Sequence, residues 1–343
     1  MSSSTLPRVA ILGLGLMGGS LFQLLRHRGH PVSGYDVDPQ TRQLVHEQTA
    51  GGVHDSVAQT LAGADLTVIA VPMWSVGQVV NEIARSGYTG LITDVVSVKS
   101  AVSQAVQQHL PGGRWIGGHP MVGSEKSGFT ASSVTLLENC PWVLCLDRAD
   151  QLPDWLWLAE WITSLGSRVV PTTLSEHDSV VARVSHLPHV LAAALTNVVA
   201  AGQMGDLALS VAAGSFRDAT RVAASSPEAT AAWCRANSQA LSVELDAIAA
   251  QLDMFREAFK AATQSNSAVG PGSDVMTAWL RGAHQLRKAW PMPAGASRRV
   301  ERSLAAISAI GRSGGWIASV NEKWITAVAP GVTPTNSSAD KKV

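Results

Sequence analysis

One short segment combines a histidine and a carboxylate with turn-forming glycines. It reads Gly117-Gly118-His119-Pro120-Met121-Val122-Gly123-Ser124-Glu125-Lys126-Ser127-Gly128. A histidine exchanges a proton near neutral pH, and glycine neighbours let such a side chain approach a small molecule closely. The segment therefore predicts acid/base chemistry by His119 on a substrate hydroxyl.

A glycine-rich loop lies upstream, between a predicted strand and a predicted helix. It reads Gly13-Leu14-Gly15-Leu16-Met17-Gly18, the spacing of a dinucleotide fingerprint. Asp36 ends the next predicted strand, where a carboxylate accepts hydrogen bonds from ribose hydroxyls and repels a 2′-phosphate. We therefore expect the loop, Asp36, and the strand exit at Val71 and Pro72 to bind NAD, with NADP as an alternative.

Three further residues near this site each have two interpretations. Arg42 would favour NADP if it faced the ribose, but a solvated helix residue is the simpler expectation. Ser97 follows the fourth predicted strand and either caps the next helix or contacts substrate. Lys99 is either a charge at an exposed helix start or a group that reaches the ligand crevice.

A second polar cluster lies in the later half of the chain. His186 and His189 flank Pro188, and Arg217 and Arg221 lie one helical turn apart. Arginine binds carboxylates in a bidentate manner, so either arginine is a candidate substrate clamp. Both are equally compatible with surface ion pairs.

The elements that must position these residues divide the chain in two. Short apolar strands alternate with helices up to about residue 173, which predicts an α/β domain of the Rossmann type with a largely parallel sheet. Residues 174–293 show helical patterns over 175–201, 237–263 and 275–290, and they predict an all-helical substrate and dimerisation domain. Residues 294–343 are expected to form an extension, with a helix over 300–310, one or two strands over 316–328, and disorder from 330.

Composition excludes several classes of protein. Lysine plus arginine equals aspartate plus glutamate, 26 each, so no basic field predicts nucleic acid or membrane-surface partners. Three cysteines without metal-ligand spacing indicate a reduced compartment and no metal site, and we expect a cytoplasmic protein. Charged residues make up only 15%, which suggests helix surface buried in a homodimer.

Together these motifs resemble the prephenate/arogenate dehydrogenase family of tyrosine biosynthesis. The matching stretches are GLGLMGGS (13–20), DVVSVKS (94–100), GGHPMVGSEKSG (117–128), HDSVVARVSHLPH (177–189) and SFRDATRVAASSP (215–227). The family oxidises a cyclohexadienol with NAD(P), and loss of the ring carboxylate as CO₂ then makes the ring aromatic. The small-molecule substrate would be prephenate or arogenate.

The resemblance also implies roles for particular residues. His119 would take the hydroxyl proton, and Ser97 would hold that hydroxyl or the His119 ring. Arg221 would bind a substrate carboxylate, with Arg217 as the second choice, and His186 would orient the substrate. Glu125 would lie at the mouth of the site, with Asp218 and Ser225 in support.

Two departures from the family pattern matter. Family members often carry a tryptophan three residues after the proline that matches Pro227, reaching toward the partner subunit. Here that position is Thr230, and Trp233 follows one turn later. In addition, the region after Ala294 lacks a clear βαββαβ pattern, so no complete ACT domain is predicted.

Two other functions fit parts of the pattern. A β-hydroxyacid dehydrogenase also pairs such a loop with a helical domain, but it needs a catalytic lysine early in that domain. No lysine occurs between Ser175 and Gln251. A non-catalytic NAD-sensing protein of the same fold would have no use for Ser97, His119 and a carboxylate clamp together.

Overall fold

The computed structural model describes residues 6–49, 51–123, 126–264 and 275–331. Its first part is a five-stranded parallel sheet in the order β2-β1-β3-β4-β5. The strands are β1 Val9–Leu12, β2 Val32–Tyr35, β3 Leu66–Ile69, β4 Leu91–Asp94 and β5 Trp115–Ile116. The helices between them are α1 Leu16–His27, α2 Pro39–Thr49, α3 Val57–Leu61, α4 Val76–Arg85 and α5 Lys99–His109. The predicted Rossmann-type domain is confirmed.

Both faces of this sheet are covered, as the uninterrupted apolar strands require. Along β1, side chains alternate between two cores: Val9 and Ile11 face one, and Ala10 and Leu12 face the other. Because the strands are parallel, their carboxyl ends meet at one edge, where such sheets bind ligands.

A second group of strands follows directly, and it carries the histidine segment. It consists of β6 Gly118–Pro120, β7 Pro141–Cys145, helix α6 Leu152–Ser164 and β8 Arg168–Thr172. Strand β6 is antiparallel to β7, and β7 is parallel to β8. His119 lies inside the short strand β6, which begins two residues after β5 ends.

The next part of the chain is helical, in agreement with the predicted second domain. Its elements are α7 Leu174–Val181, a π-helical turn at Ala182–His186, α8 Leu187–Ala200, α9 Gly205–Ser210, α10 Gly214–Thr220, α11 Pro227–Ala236, α12 Ser238–Gln264 and α13 Val275–Ala289. The π-helical turn ends two residues before Pro188, which lies in the first turn of α8. Such turns often occur at functional sites.

The final segment returns to the first part of the molecule. It forms β9 Ala294–Val300, α14 Leu304–Arg312, β10 Trp316–Val320 and β11 Ile325–Pro330, and β9 was not predicted. These strands extend the second sheet, in the order β6-β7-β8-β10-β11-β9. Ile307 and Ile310 are buried in the same core as Trp161 and Val169.

The expected extension therefore packs on the first part of the molecule, because residues 294–330 share a sheet and a core with β8. The disorder predicted from residue 330 falls mostly on 332–343, which lie outside the described residues. Residues 294–331 contain a β-α-β-β unit, so the absence of a complete ACT domain stays a prediction. Among the described residues, no helix is long and apolar enough to cross a membrane.

Candidate active site

The glycine loop has the geometry that a dinucleotide phosphate requires. Gly13 has a φ of 98°, and a Cβ there would collide with the carbonyl of Ala70. A Cβ on Gly18 would collide with the Gly13 carbonyl, whereas one on Gly15 would meet nothing within 4 Å. Because α1 begins at Leu16, its N-terminal amides and positive dipole end lie at this open surface. These residues therefore fit the pyrophosphate of NAD.

Asp36 lies beside the loop, as its proposed role requires. One carboxylate oxygen accepts the Leu14 N–H at 2.7 Å, and the other accepts the Asp38 N–H at 3.0 Å. A carboxylate retains further lone pairs for ribose hydroxyls. Val71 and Pro72 follow β3 next to Gly13, and the Val71 side chain lines the space beside that glycine.

Arg42 is not the solvated helix residue that was expected. Its guanidinium donates to the Asp36 carbonyl oxygen at 2.8 Å and lies 5.6 Å from the centre of the Tyr35 ring. The open carbonyls at the end of β2 attract it, so it lies at the strand end where the ribose should bind.

Lys99 fits neither of its two interpretations. Its side chain is fully buried, and its Nζ donates to the Asp94 carboxylate and, at 2.6 Å, to the Gly118 carbonyl oxygen. Asp94 also accepts the Trp115 indole N–H at 3.1 Å and the Val96 N–H at 3.0 Å. A buried ion pair persists only when further hydrogen bonds satisfy it. This pair fixes β6, and thus the backbone beside His119, to the end of β4.

The glycines beside His119 serve this same packing. A Cβ on Gly118 would approach the Asp94 carbonyl oxygen to 2.7 Å, and one on Gly117 would press on Trp115 and Lys99. They let β6 pack against β4, rather than clearing space for a substrate as the sequence suggested. Glu125 lies outside the described residues.

His119 is part of a hydrogen-bonded chain that the sequence analysis missed. Its Nδ1 lies 2.9 Å from Nε2 of His177, whose Nδ1 lies 2.8 Å from the Asp178 carboxylate. Asp178 also accepts the N–H groups of Lys99 and Ser100 at 2.8 and 2.9 Å. The adjacent His-Asp pair at 177–178 was the available signal.

Asp178 therefore caps α5, which was one of the two interpretations of Ser97. The N-cap position itself is Val98, which makes no side-chain cap. Ser97 lies next to it, partly buried in the loop between β4 and α5, at the carboxyl end of the sheet. This position leaves substrate contact as its predicted role.

The surroundings of His119, His177 and Asp178 set the charge states of these three side chains. Burial lowers the pKa of His119 well below its ordinary value, and the positive charge of Lys99 and the charges that His177 and His186 would carry if protonated act in the same direction. Burial also lowers the pKa of His177, against the opposing effect of Asp178. Burial alone would raise the pKa of Asp178, but hydrogen bonds from His177 and Ser100 outweigh it and lower that pKa to about 2. At neutral pH both histidines are therefore uncharged and Asp178 is ionised.

His186, in the π-helical turn, is linked to Asp178 through the side chain of Asn237. The Asn237 amide nitrogen donates to the Asp178 carbonyl oxygen at 2.8 Å and lies 3.2 Å from Nδ1 of His186. Burial lowers the pKa of His186 to about 4, so the ring is neutral and its Nε2 carries the hydrogen. That Nε2 is buried without a partner among the described residues. A buried donor of this kind suits a substrate oxygen.

Trp233 packs against these histidines within its own chain. Its ring stacks on His186 with centroids 4.3 Å apart and meets His189 edge-on at 5.1 Å. The departure noted at Thr230 therefore leaves a tryptophan beside the site. Among the described residues no cluster of histidine, cysteine or carboxylate side chains could hold a metal ion.

The two candidate arginines differ in their surroundings. Arg217 pairs with Asp218 at 3.5 Å, and both side chains are about four-fifths exposed at 80% and 79%. Arg221 follows α10. Burial lowers the pKa of His189, and the charge of Arg221 lowers it further. Ser225 ends the same turn. Arg217, Asp218 and Arg221 all have exposed side chains, and Arg221 differs in lying near His189.

Comparisons with known proteins match both halves of this site. A family model described as "Prephenate dehydrogenase, nucleotide-binding domain" matches residues 22–170. A second, "Prephenate dehydrogenase, dimerization domain", matches residues 173–268. A cyclohexadienyl dehydrogenase of Zymomonas mobilis is 32% identical over 256 residues, 73% of this chain and 87% of that protein. The chain belongs to the prephenate/arogenate dehydrogenase family.

Two further members of this family are similar to this chain. A prephenate dehydrogenase of Bacillus subtilis is 33% identical over 64% of this chain, and the match spans 61% of that longer relative. The crystal structure of Synechocystis arogenate dehydrogenase is 26% identical with a TM-score of 0.69, covering 82% of this chain and 99% of that one. The family resemblance drawn from the motifs is confirmed.

Proposed function

We propose that this protein catalyses the NAD-dependent oxidative decarboxylation of prephenate or arogenate, which yields 4-hydroxyphenylpyruvate or tyrosine. The observation that carries this proposal is the histidine cluster. His119, at the sheet edge, is hydrogen-bonded to His177 of the helical part, and the unpartnered donor of His186 lies close by. The membership of the family supports the same reaction.

The residues of this site perform the proton and binding steps. NAD would supply the hydride acceptor. The residues that would hold it are Gly13, Leu14, Gly15, Leu16, Met17, Gly18, Asp36, Val71 and Pro72. His119 takes the proton of the ring hydroxyl as its carbon is oxidised to a ketone. The bond to the ring carboxylate then breaks, and its electron pair moves through the ring to the ketone oxygen. That oxygen recovers the proton from His119 as the ring becomes a phenol.

The remaining residues position the substrate. Ser97 binds the reacting hydroxyl, and the His186 Nε2–H donates to a substrate oxygen. Arg221 binds a carboxylate, whereas Arg217 remains the second choice. Ser225 supports this part of the proposed lining, and Asp218 would act through its ion pair with Arg217. The role proposed for Glu125 falls on a residue outside the described ones.

The decisive experiment measures kcat/KM for prephenate and for arogenate, each with NAD and with NADP. Turnover of either compound supports the proposal, and the higher kcat/KM shows which of the two is the preferred substrate. NAD binding without turnover of either would reject it and favour a sensing role.

Replacing Arg221 by alanine should raise the KM for the substrate about 10- to 100-fold, with a smaller effect on kcat. The reason is that a hydrogen bond between charged groups contributes about 1.5–3 kcal/mol. Steady-state kinetics on Arg221→Ala and on the matched control Arg217→Ala measure this. A larger KM effect in the Arg217 variant would exchange their roles.

We further propose that the protein is a homodimer joined through its helical part. Apolar side chains are exposed along α8, α9 and α12: Leu191, Leu195, Val198, Leu207, Leu209, Val243, Leu245, Leu252, Met254 and Phe259. Large apolar side chains exposed on several helices of one part of a molecule are typical of a protein interface. The match to a dimerization domain over residues 173–268 supports the same surface.

Placing a charge on this surface should break the dimer. Val198 on α8 is 72% exposed, so Val198→Asp should remain folded while the dimer dissociates. Val37→Asp is the matched control, because Val37 is 77% exposed but lies in the nucleotide-binding part. Light scattering after size exclusion gives the mass of each. A Val198→Asp protein that stays dimeric would exclude α8 from the interface.

A further inference from the structure

The proposed reaction uses His119 but assigns no role to the two groups behind it. His177 and Asp178 lie on α7, and His119 lies on β6, so their hydrogen bonds connect the helical part to the sheet. His177 is 1% exposed and cannot itself meet a substrate from solvent. Its effect on the reaction must pass through His119.

The hydrogen positions in this chain follow from Asp178. An ionised carboxylate only accepts hydrogen bonds, so the Nδ1 of His177 must carry a hydrogen and donate it to Asp178. Because His177 is neutral, its Nε2 then holds a lone pair and accepts. The neighbouring Nδ1 of His119, at 2.9 Å, must therefore be the donor. This leaves the Nε2 of His119 without a hydrogen, which is the form that can take a proton.

The other groups around His119 do not replace this contact. Lys99, on α5, is bound to Asp94 and to the Gly118 carbonyl oxygen. His186, on the π-helical turn, receives the Asn237 amide at its Nδ1. Among the described residues, His177 is the hydrogen-bond partner of the His119 Nδ1.

We propose that His177 is a positioning residue, held by Asp178, that fixes His119 in the tautomer whose Nε2 is the free base. The proposal rests on the proposed function, in which His119 takes the hydroxyl proton. When His119 gains that proton, its Nδ1–H still donates to His177, and the Asp178 carboxylate stabilises the new charge through the intervening ring. A buried carboxylate behind a histidine has this orienting effect in the serine hydrolases.

Two substitutions separate the two hydrogen bonds of His177. A glutamine places an amide oxygen near the position of the His177 Nε2, so His177→Gln keeps an acceptor for His119. An asparagine reaches only the position of Nδ1, so His177→Asn keeps the donor to Asp178 and loses the acceptor. We expect kcat to fall about 10- to 100-fold in His177→Asn and only a few-fold in His177→Gln.

Binding of NAD and the melting temperature serve as controls, since neither variant alters the glycine loop. A purely structural role for His177 would lower kcat in step with stability and give no advantage to glutamine. Wild-type kcat in His177→Asn would overturn the proposal. An equal loss in both variants, with unchanged melting temperatures, would also overturn it.

A second measurement does not depend on turnover. Nitrogen-15 NMR of the histidine-labelled protein reports which ring nitrogen carries the hydrogen, and the His119 signal is assigned by its loss in His119→Asn. The proposal expects a hydrogen on Nδ1 of His119 and none on Nε2. The opposite tautomer would overturn it, whether or not prephenate and arogenate are turned over. Absence of turnover with the expected tautomer would instead count against the proposed function.

Discussion

Replacing His119 by asparagine should lower kcat by about 10²-fold or more, while the affinity for NAD stays close to that of the wild type. Asparagine keeps a polar side chain on β6 but cannot accept the hydroxyl proton, and loss of a general base typically costs about 10²–10⁴-fold. The glycine loop lies on other elements, so its contacts with NAD are unaffected. Single-turnover kinetics and NAD titration measure the two effects.

The pH dependence of kcat/KM in the wild type is a second test of the role of His119. Only the neutral form of His119 can accept a proton, so kcat/KM should fall as the pH drops through its pKa. Because burial lowers that pKa, activity should persist below pH 6.5, where an ordinary histidine becomes charged. The matched control for His119→Asn is His46→Asn, on the exposed surface of α2.

Wild-type kinetics in His119→Asn would refute the role of His119 as base.

Replacing Lys99 by methionine should lower the free energy of unfolding by about 3–5 kcal/mol, which is the cost of leaving one member of a buried ion pair without its partner. Both side chains are fully buried, so water cannot take the place of the lost ammonium group. The indole of Trp115 and the Val96 N–H would remain on Asp94, but they carry no full charge. Urea denaturation measures the change.

Two further variants make the Lys99 result interpretable. Lys323→Met removes an exposed lysine and should change stability by less than about 0.5 kcal/mol. The double variant Lys99→Met with Asp94→Asn removes both charges and should recover part of the loss, even if the single variant fails to fold. A Lys99→Met protein as stable as the wild type would show that the pair does not hold β6.

The parts of the site that lie close together in sequence were predictable. The spacing of Gly13, Gly15 and Gly18, with the apolar run before them, predicted both the loop and its function, since a strand, a turn and a helix start are local structures. His119 and His186 were likewise selected as candidates from their surrounding motifs. The doubly covered sheet followed from the alternation of apolar strands and helices.

The contacts between distant segments were not predictable. A lysine at a helix start is ordinarily exposed, and only the fold shows that Asp94 and the Gly118 carbonyl surround Lys99. His177 and Asp178 lie 58 and 78 residues from their respective partners His119 and Ser100, so no local pattern joins them. Strand β9 is exposed and lacks an apolar alternation, which explains why it was missed.

In the proposed reaction, one site oxidises a ring alcohol and releases the ring carboxylate. The most direct measurement follows NADH and CO₂ together when the wild-type protein acts on prephenate or arogenate with NAD. We predict that both form in a 1:1 ratio with an aromatic product, and that His119→Asn suppresses both equally. NADH without CO₂, or neither product with both substrates despite bound NAD, would contradict it.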